Sequence, residues 1–449
     1  MKSSLKIISA FGGILFLFFK VNGAEISDFA LPSSPSIKSG QASFEQTHDK
    51  FTIQQSSNKL ITNWSSFNIG KDAAVEFIQP NSSSSALTRV NSSDPTYIYG
   101  SLKANGNSLL INPSGVLFKE GAKVDVGSII ASSLNLKDGD FLNDQYIFEK
   151  DGFAGTVSNE GAINAFEGGA VALIAPQVLN EGQISVDGGS VAMLAGEKVT
   201  LTLNGNKLIQ YTIDRGTVDS LVSNQEAIEA GEGVIILSAK GLESVSQAVV
   251  NNSGTVKADS ITKKGGKIFL TARHGSVNNA GSLSTNSKND IGGEVEITAD
   301  EIVVSKEAKI SATGELGGGQ ILVGGSWQNS DPAVYQATST GVAVGAVIDA
   351  SALTKGDGGE VVIWSDIANK DSTTKVKGTL YAKGGSQGGN GGRIETSGRK
   401  LNISGISVDT KSISGSDGTW LIDPYDITIT SSGSDYSNSS GTWTANTDS

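Results

Sequence analysis

The stretch GAVALIAPQVLNEGQISVDGGSVAMLA, residues 169–195, states one short phrase twice: GAVALIA at 169–175 and GSVAMLA at 189–195. The phrase is G-x-[VI]-x-[apolar]-x-[small], and it returns as GVIILSA, GKIFLTA, GEVEITA, GQILVGG, GEVVIWS and GRIETSG. Its leading glycines are Gly169, Gly189, Gly233, Gly266, Gly293, Gly319, Gly359 and Gly392, spaced 20, 44, 33, 27, 26, 40 and 33 residues apart. Repetition at such periods is the signature of a solenoid. Period-two alternation puts Val171 and Leu173, Val191 and Met193, Ile268 and Leu270, or Val295 and Ile297 on one face of each strand. One coil cannot bury that face alone. Like strands stacked about 4.8 Å apart turn it into an apolar ladder, each buried Val or Leu contributing about 1.5–3 kcal/mol.

The shorter spacings suit one turn of a β-solenoid, and the longer ones a turn with an excursion. In KVTLTLNGNKLIQYTID (198–214), Asn204-Gly205 separates two alternating runs, a strong signal for a tight β-hairpin projecting from the solenoid. N-x-G recurs at Asn159-Gly161, Asn180-Gly182, Asn252-Gly254 and Asn279-Gly281, which reads as corners that use the tolerance of both residues for φ > 0. Helix signals are few; TVDSLVSNQEAI from Thr217 and GLESVSQAVV from Gly241 are read as short surface turns or helices. A β-sandwich also has many short alternating strands, but it needs Greek-key variety, and this chain repeats a single strand type. Glycine-rich stretches such as GGSQGGNGG from Gly384 stand just before a repeat strand and read as solenoid corners, not linkers.

At the N-terminus, Lys2 and Lys6 precede an apolar run from Ile7 to Phe19, followed by Gly23 and Ala24. That is the layout of a secretory signal peptide over residues 1–24, and the run is too short for a transmembrane span. Removing it takes away Lys2, Lys6 and Lys20, leaving 34 − 3 = 31 basic against 46 acidic residues, a net charge of −15. An acidic chain of this kind is a poor partner for nucleic acid or anionic membranes. The sequence has no cysteine, so packing and backbone pairing must supply stability without disulfides. No second stretch approaches transmembrane length, and the mature chain is read as not transmembrane.

Little in the chain suggests chemistry. His48 and His274 are the only histidines, neither has a companion at metal-ligand spacing, and with no Cys a zinc or copper site is not expected. No G-x-S-x-G elbow marks a serine nucleophile. Because parallel β-helices include polysaccharide-cleaving enzymes, Asp409, Asp417, Asp423 and Asp426 are the candidate catalytic carboxylates; their turn-like contexts favour solvated corner carboxylates. GGNGGRIET lacks the aspartate of a calcium-binding G-G-x-G-x-D repeat. The five tryptophans, Trp64, Trp327, Trp364, Trp420 and Trp443, are scattered and draw no carbohydrate platform.

One further stretch, NSLLINPSGVLF (107–118), places Asn112-Pro113-Ser114-Gly115 between two apolar runs, the composition of a type I β-turn. In order and spacing, ITNWSSFNIG (61–70), VEFIQPNSSSSALTRV (75–90) and IYGSLKANGNSLLINPSGVLFKEGAKVDVGSIIASSLNL (98–136) resemble the haemagglutination-activity domain of two-partner secretion exoproteins. VVNNSGTVKA (249–258), GGEVVIWSD (358–366) and GTWLIDPYDITI (418–429) are similar to segments of filamentous-haemagglutinin-like proteins. The family's asparagine-proline turn falls on Asn112, Pro113, Ser114 and Gly115, with Ser114 where Asn is usual; Thr88 also stands where Asn is common, and FKEG replaces FG.

The resemblance implies an all-β, right-handed parallel β-helix with an N-terminal cap and an extra-helical hairpin. It divides the chain into a signal peptide at 1–24, a two-partner secretion domain at 25–310 and a continuing Gly-rich repeat region at 311–449. It also implies a non-enzymatic, secreted adhesin-type exoprotein without cofactor or metal, recognised by an outer-membrane Omp85-type β-barrel transporter and binding a host-cell glycan or protein receptor. The four turn residues are the expected transporter-recognition element. The alternatives are a β-helical carbohydrate-active enzyme, or the secretion domain of a cytolysin or contact-dependent toxin. SSGTWTANTDS (439–449) offers no evident capping coil, which leaves a fragment, a truncated frame and a short family member all open.

Overall fold

The computed structural model describes residues 26–242, 248–425, 436–439 and 442–445. The expected signal peptide and Asp426 lie outside them. Thirty-five strands pair into one continuous sheet that winds as a parallel β-helix. Ala170–Ala175 pairs with Ser190–Ala195, which pairs with Val234–Lys240, and the same strand continues through Lys267–Asn279, Glu294–Val304, Gln320–Val323, Glu360–Trp364, Arg393–Gly398 and Thr419–Pro424. The repeated phrase is thus one wall of successive coils. Its alternating residues, Val171, Leu173, Val191, Met193, Ile268, Leu270, Val295 and Ile297, are fully buried in one continuous interior.

The leading glycines stack in register with Gly106 and Gly127 before them and Gly418 after. Each carbonyl accepts the next coil's amide: Val234 N donates to Gly189 O at 3.0 Å and Glu294 N to Gly266 O at 3.0 Å. A Cβ on Gly233 or Gly293 would collide with the carbonyl oxygen of the glycine one coil below. Neither has a positive φ, so close approach of backbones, not conformational freedom, demands glycine here.

The N-terminal end is closed by antiparallel pairing. Ser36–Ser39 runs against Lys59–Trp64, and Ala42–Gln46 against Lys50–Gln55. Phe44 sits over Phe51 and Trp64, with ring centroids 6.0 and 5.7 Å away, and Trp64 meets Phe67 edge-on at 5.2 Å. These rings fill the first coils and cover apolar surface that has no preceding coil.

Three expectations change. The hairpin forms, Lys198–Asn204 against Lys207–Arg215, but it does not project. It joins Asn135–Leu136 and Tyr146–Glu149 in a four-stranded antiparallel sheet laid on the outer wall. There Val199, Leu201, Leu208 and Ile213 pack on Ala172, Ile174, Leu194 and Ile236. The cause is visible in GAVALIA, whose outward residues Ala170, Ala172 and Ile174 are as apolar as its inward ones and need a cover. Secondly, the stretches from Thr217 and Gly241 give strands Leu221–Asn224, Ala227–Glu229 and Ala248–Asn252 in coil register, with residues 243–247 outside the described set. Parallel partners on both sides override weak local helix preference. The α-helix among the described residues is Asp138–Leu142, which the sequence reading did not anticipate.

Thirdly, the N-x-G corners are corners, but their glycines at 161, 182, 254 and 281 do not adopt positive φ. The asparagines point inward as a ladder: Asn159 Nδ2 donates to Asn180 Oδ1, Asn180 to Asn224, Asn224 to Asn252 and Asn252 to Asn279, each at 2.8 Å. All five are buried. Gly182, Gly254 and Gly281 are required because a Cβ would strike the backbone of the coil below.

Candidate functional site

The expected turn stands where three coil segments meet. Gly115 N donates to Asn112 O at 2.9 Å and closes the turn, and Ser114 N donates to Asn112 Oδ1 at 2.9 Å. Asn112 is fully buried. Its Nδ2 donates to Asp94 O and Thr96 Oγ1, both at 3.0 Å, so the side chain ties the turn to the preceding coil. Ser114 Oγ donates to Ser92 O at 2.8 Å, and Pro113 O accepts Gly155 N from the following coil at 2.7 Å. Gly115 has φ 118° and lies against Thr156 O, two reasons for glycine. Only Pro113 and Ser114 are partly open to solvent. The four residues therefore stay together, with Asn112 and Gly115 inside the fold and Pro113 and Ser114 at its surface. The burial of Asn112 against Asp94 and Thr96 was missed, because those partners are local neighbours only after stacking.

The outer sheet and the short helix are fastened to these first coils by charged side chains. Lys59 Nζ donates to Phe141 O and Leu142 O at 3.0 and 2.9 Å and meets Asp144 Oδ1 at 2.7 Å. Arg89 Nη2 reaches Leu136 O at 2.6 Å and Asp138 Oδ1 at 2.8 Å. Burial beneath the sheet, reinforced by Asp144, pushes the Tyr146 phenol up to about 12, so it stays a neutral member of the apolar contact. Thr88 is buried and its Oγ1 has no hydrogen-bond partner.

The remaining candidates do not converge. His48 meets Phe29 near the cap with ring centroids 4.4 Å apart and planes tilted by 54°, whereas His274 sits at the register break of Lys267–Asn279 with φ 58°. Asp409 Oδ1 and Asp417 Oδ1 accept turn amides from Lys411 at 3.0 Å and Ser412 at 2.9 Å. Trp327 and Trp364 share an outer cluster with Leu322, Val334 and Val362, beneath residues 326–337, a second excursion that the sequence did not reveal. Among the described residues, no three His, Asp or Glu gather as metal ligands, and no helix is long and apolar enough to cross a membrane.

A capped parallel β-helix carrying an outer sheet is the class of fold seen in the crystal structure of the HMW1 secretion domain from Haemophilus influenzae. That chain is 30% identical, with a TM-score of 0.77 over 87% of this chain and 100% of its own. The family model described as TPS secretion domain matches residues 29–285, more than half of the chain, and the chain belongs to that two-partner secretion family. A heme/hemopexin-binding protein of Haemophilus influenzae strain Rd is 32% identical over 251 residues, 54% of this chain and 27% of its own length. A second heme/hemopexin-binding protein of Haemophilus influenzae is 30% identical over 247 residues, 50% and 26% respectively. The match thus spans about a quarter of these curated relatives. The family is a secretion domain of secreted exoproteins, not an enzyme family, and its members imply a cognate outer-membrane transporter.

Proposed function

We propose that this chain belongs to a secreted adhesin-type exoprotein whose first coils are recognised by an Omp85-type outer-membrane β-barrel transporter. The coil region that follows then mediates cell adhesion. The observation that carries the reading is the family match over residues 29–285, lying on coils closed by their own aromatic cap.

The mechanism is vectorial. The chain crosses unfolded, the cap assembles first on the far side, and each emerging coil buries its apolar wall on the one before. Burial of Val171, Leu173, Val191 and Met193 in consecutive coils makes backward movement costly, at about 1.5–3 kcal/mol per side chain. Pro113 and Ser114 are the part of the turn that the folded first coils offer to a partner, while Asn112 acts through folding.

The test measures residues 24 to 449 released from a Gram-negative host with and without the barrel transporter. Ser114→Ala and Asn112→Ala run in parallel, with circular dichroism on the purified proteins. Release that depends on the transporter, with Ser114→Ala folded but retained, is expected. Equal release without the transporter overturns the reading.

A further inference from the structure

A groove of about 810 Å³ runs along the outer wall between the two excursions. Its floor is the outward face of three consecutive coil strands, carrying Ile236, Phe269, Thr271 and Glu296. One side is the strand Lys207–Arg215, which lines the groove with consecutive residues from Leu208 to Ile213. Among the described residues, that strand pairs only with Lys198–Asn204, so its other edge has no ladder. The opposite side is Tyr335, held by its hydroxyl to Asp300 and by its ring beneath Arg273, 5.8 Å away.

The free edge follows the floor strands. Ser128 Oγ, on the wall strand Lys123–Ser132 of an earlier coil, donates to Asn206 O at 3.0 Å, and at the end of the first floor strand Lys240 Nζ donates to Ile213 O and Asp214 O, both at 3.1 Å, so the open stretch of edge is residues 208–212. Neighbouring strands need about 4.8 Å, and two coil strands, Lys267–Asn279 and Glu294–Val304, follow Val234–Lys240 across the floor. There is room for an added strand. Glu296 faces this space, and among the described residues no cation lies within ion-pairing distance of it, whereas Glu294 is paired to Lys267 at 2.6 Å.

We propose that the groove binds an extended peptide that adds as a strand to the edge of Lys207–Arg215 and places a lysine or arginine against Glu296. The backbone edge supplies affinity, and the apolar floor with the single carboxylate of Glu296 supplies selectivity, as in strand-addition recognition generally; Lys240, Lys267 and Arg273 also line the groove, so the cation must seat on Glu296 itself. Burial, with the charges of Glu294 and Asp331, raises the Glu296 carboxyl to about 7 against the opposing influence of Lys267 and Arg273. An incoming cation relieves that penalty.

The probe is a fluorescent heptapeptide of alternating valine and threonine with a central lysine. Its controls carry a central glutamate, or N-methyl groups on alternate amides. Fluorescence anisotropy with the full chain is expected to show the lysine peptide binding about tenfold more tightly than either control. Glu296→Gln should remove the preference for lysine over glutamate while its circular dichroism stays that of the wild type. Binding should also strengthen as the pH rises through about 7. Equal binding of the N-methylated peptide, or no preference for lysine, overturns the proposal. So does a neutral oligosaccharide that binds in the groove and displaces the peptide without regard to Glu296.

Discussion

One corner of the coil is built in two ways. From Asn159 to Asn279 it is an amide ladder; the same register position then continues as Val304, Val342 and Val376, and before the ladder it is Ile98 and Phe118. The walls on either side are alike, so stacking itself does not require asparagine. What the ladder adds is directional bonding, since each amide from Asn159 to Asn252 donates to the asparagine of the next coil as well as to the carbonyl two residues on in its own. A valine column tolerates a neighbouring coil that is slightly displaced; an amide column does not. The ladder ends at Asn279, close to residue 285 where the family match ends.

The comparison breaks most sharply at its two centres. Asn224→Leu leaves Asn180 without its acceptor and Asn252 without its donor, and is expected to cost about 3 kcal/mol in urea unfolding. Val342→Asn inserts a lone amide among methyl groups and should cost a similar amount, about 3 kcal/mol. If the valine half accepts the amide freely, the distinction between the two columns fails.

Next comes the strip between the excursions. Unfolded, Glu296 titrates near 4.5, and folded at about 7. The folded chain holds a proton that the unfolded chain has lost, so this group makes stability fall as pH rises between those values. Glu296→Gln should leave the Tm unchanged below pH about 4 and raise it at pH about 8, by an energy of at most about 3 kcal/mol. A Tm difference that does not vary with pH would sink this account.

Smaller effects sharpen the boundary. Val304→Asn lies next to Asn279 and can extend the ladder, so its cost should be only about 1 kcal/mol, well under that of Val342→Asn. Thr88→Val exchanges a buried hydroxyl without a partner for a methyl of the same shape, and should be neutral or stabilising by about 1 kcal/mol. Thermal unfolding of both variants separates sites where a polar group is bonded from one where it is merely enclosed.

The wall strand was legible in the sequence because its period-two pattern and its glycine are both local. All eight leading glycines fall in one column, as the phrase predicts, and Asn204-Gly205 makes its hairpin. What the hairpin rests on was not legible, because Ala170, Ala172 and Ile174 acquire their cover from residues 135–149 and 198–215. The inward asparagines were not legible, since N-x-G is ambiguous between a φ requirement and a stacking one. Asn224, followed by Gln225 and Glu226, belongs to the ladder without the glycine and so escaped the pattern. For the turn, Asn112 to Gly115 were identified as a corner; the bonds to Asp94 and Thr96 exist only across coils.

The glycine column also sets where the chain can change length. Between one glycine and the next the path varies from 20 to 44 residues, yet the wall strands stay aligned, because the distance that counts is between backbones and not along the sequence. Added residues leave at a corner and return to the same contact, and doubling a flexible loop costs only about 0.6 kcal/mol. A chain built this way can acquire new surface segments one coil at a time without rewriting its interior.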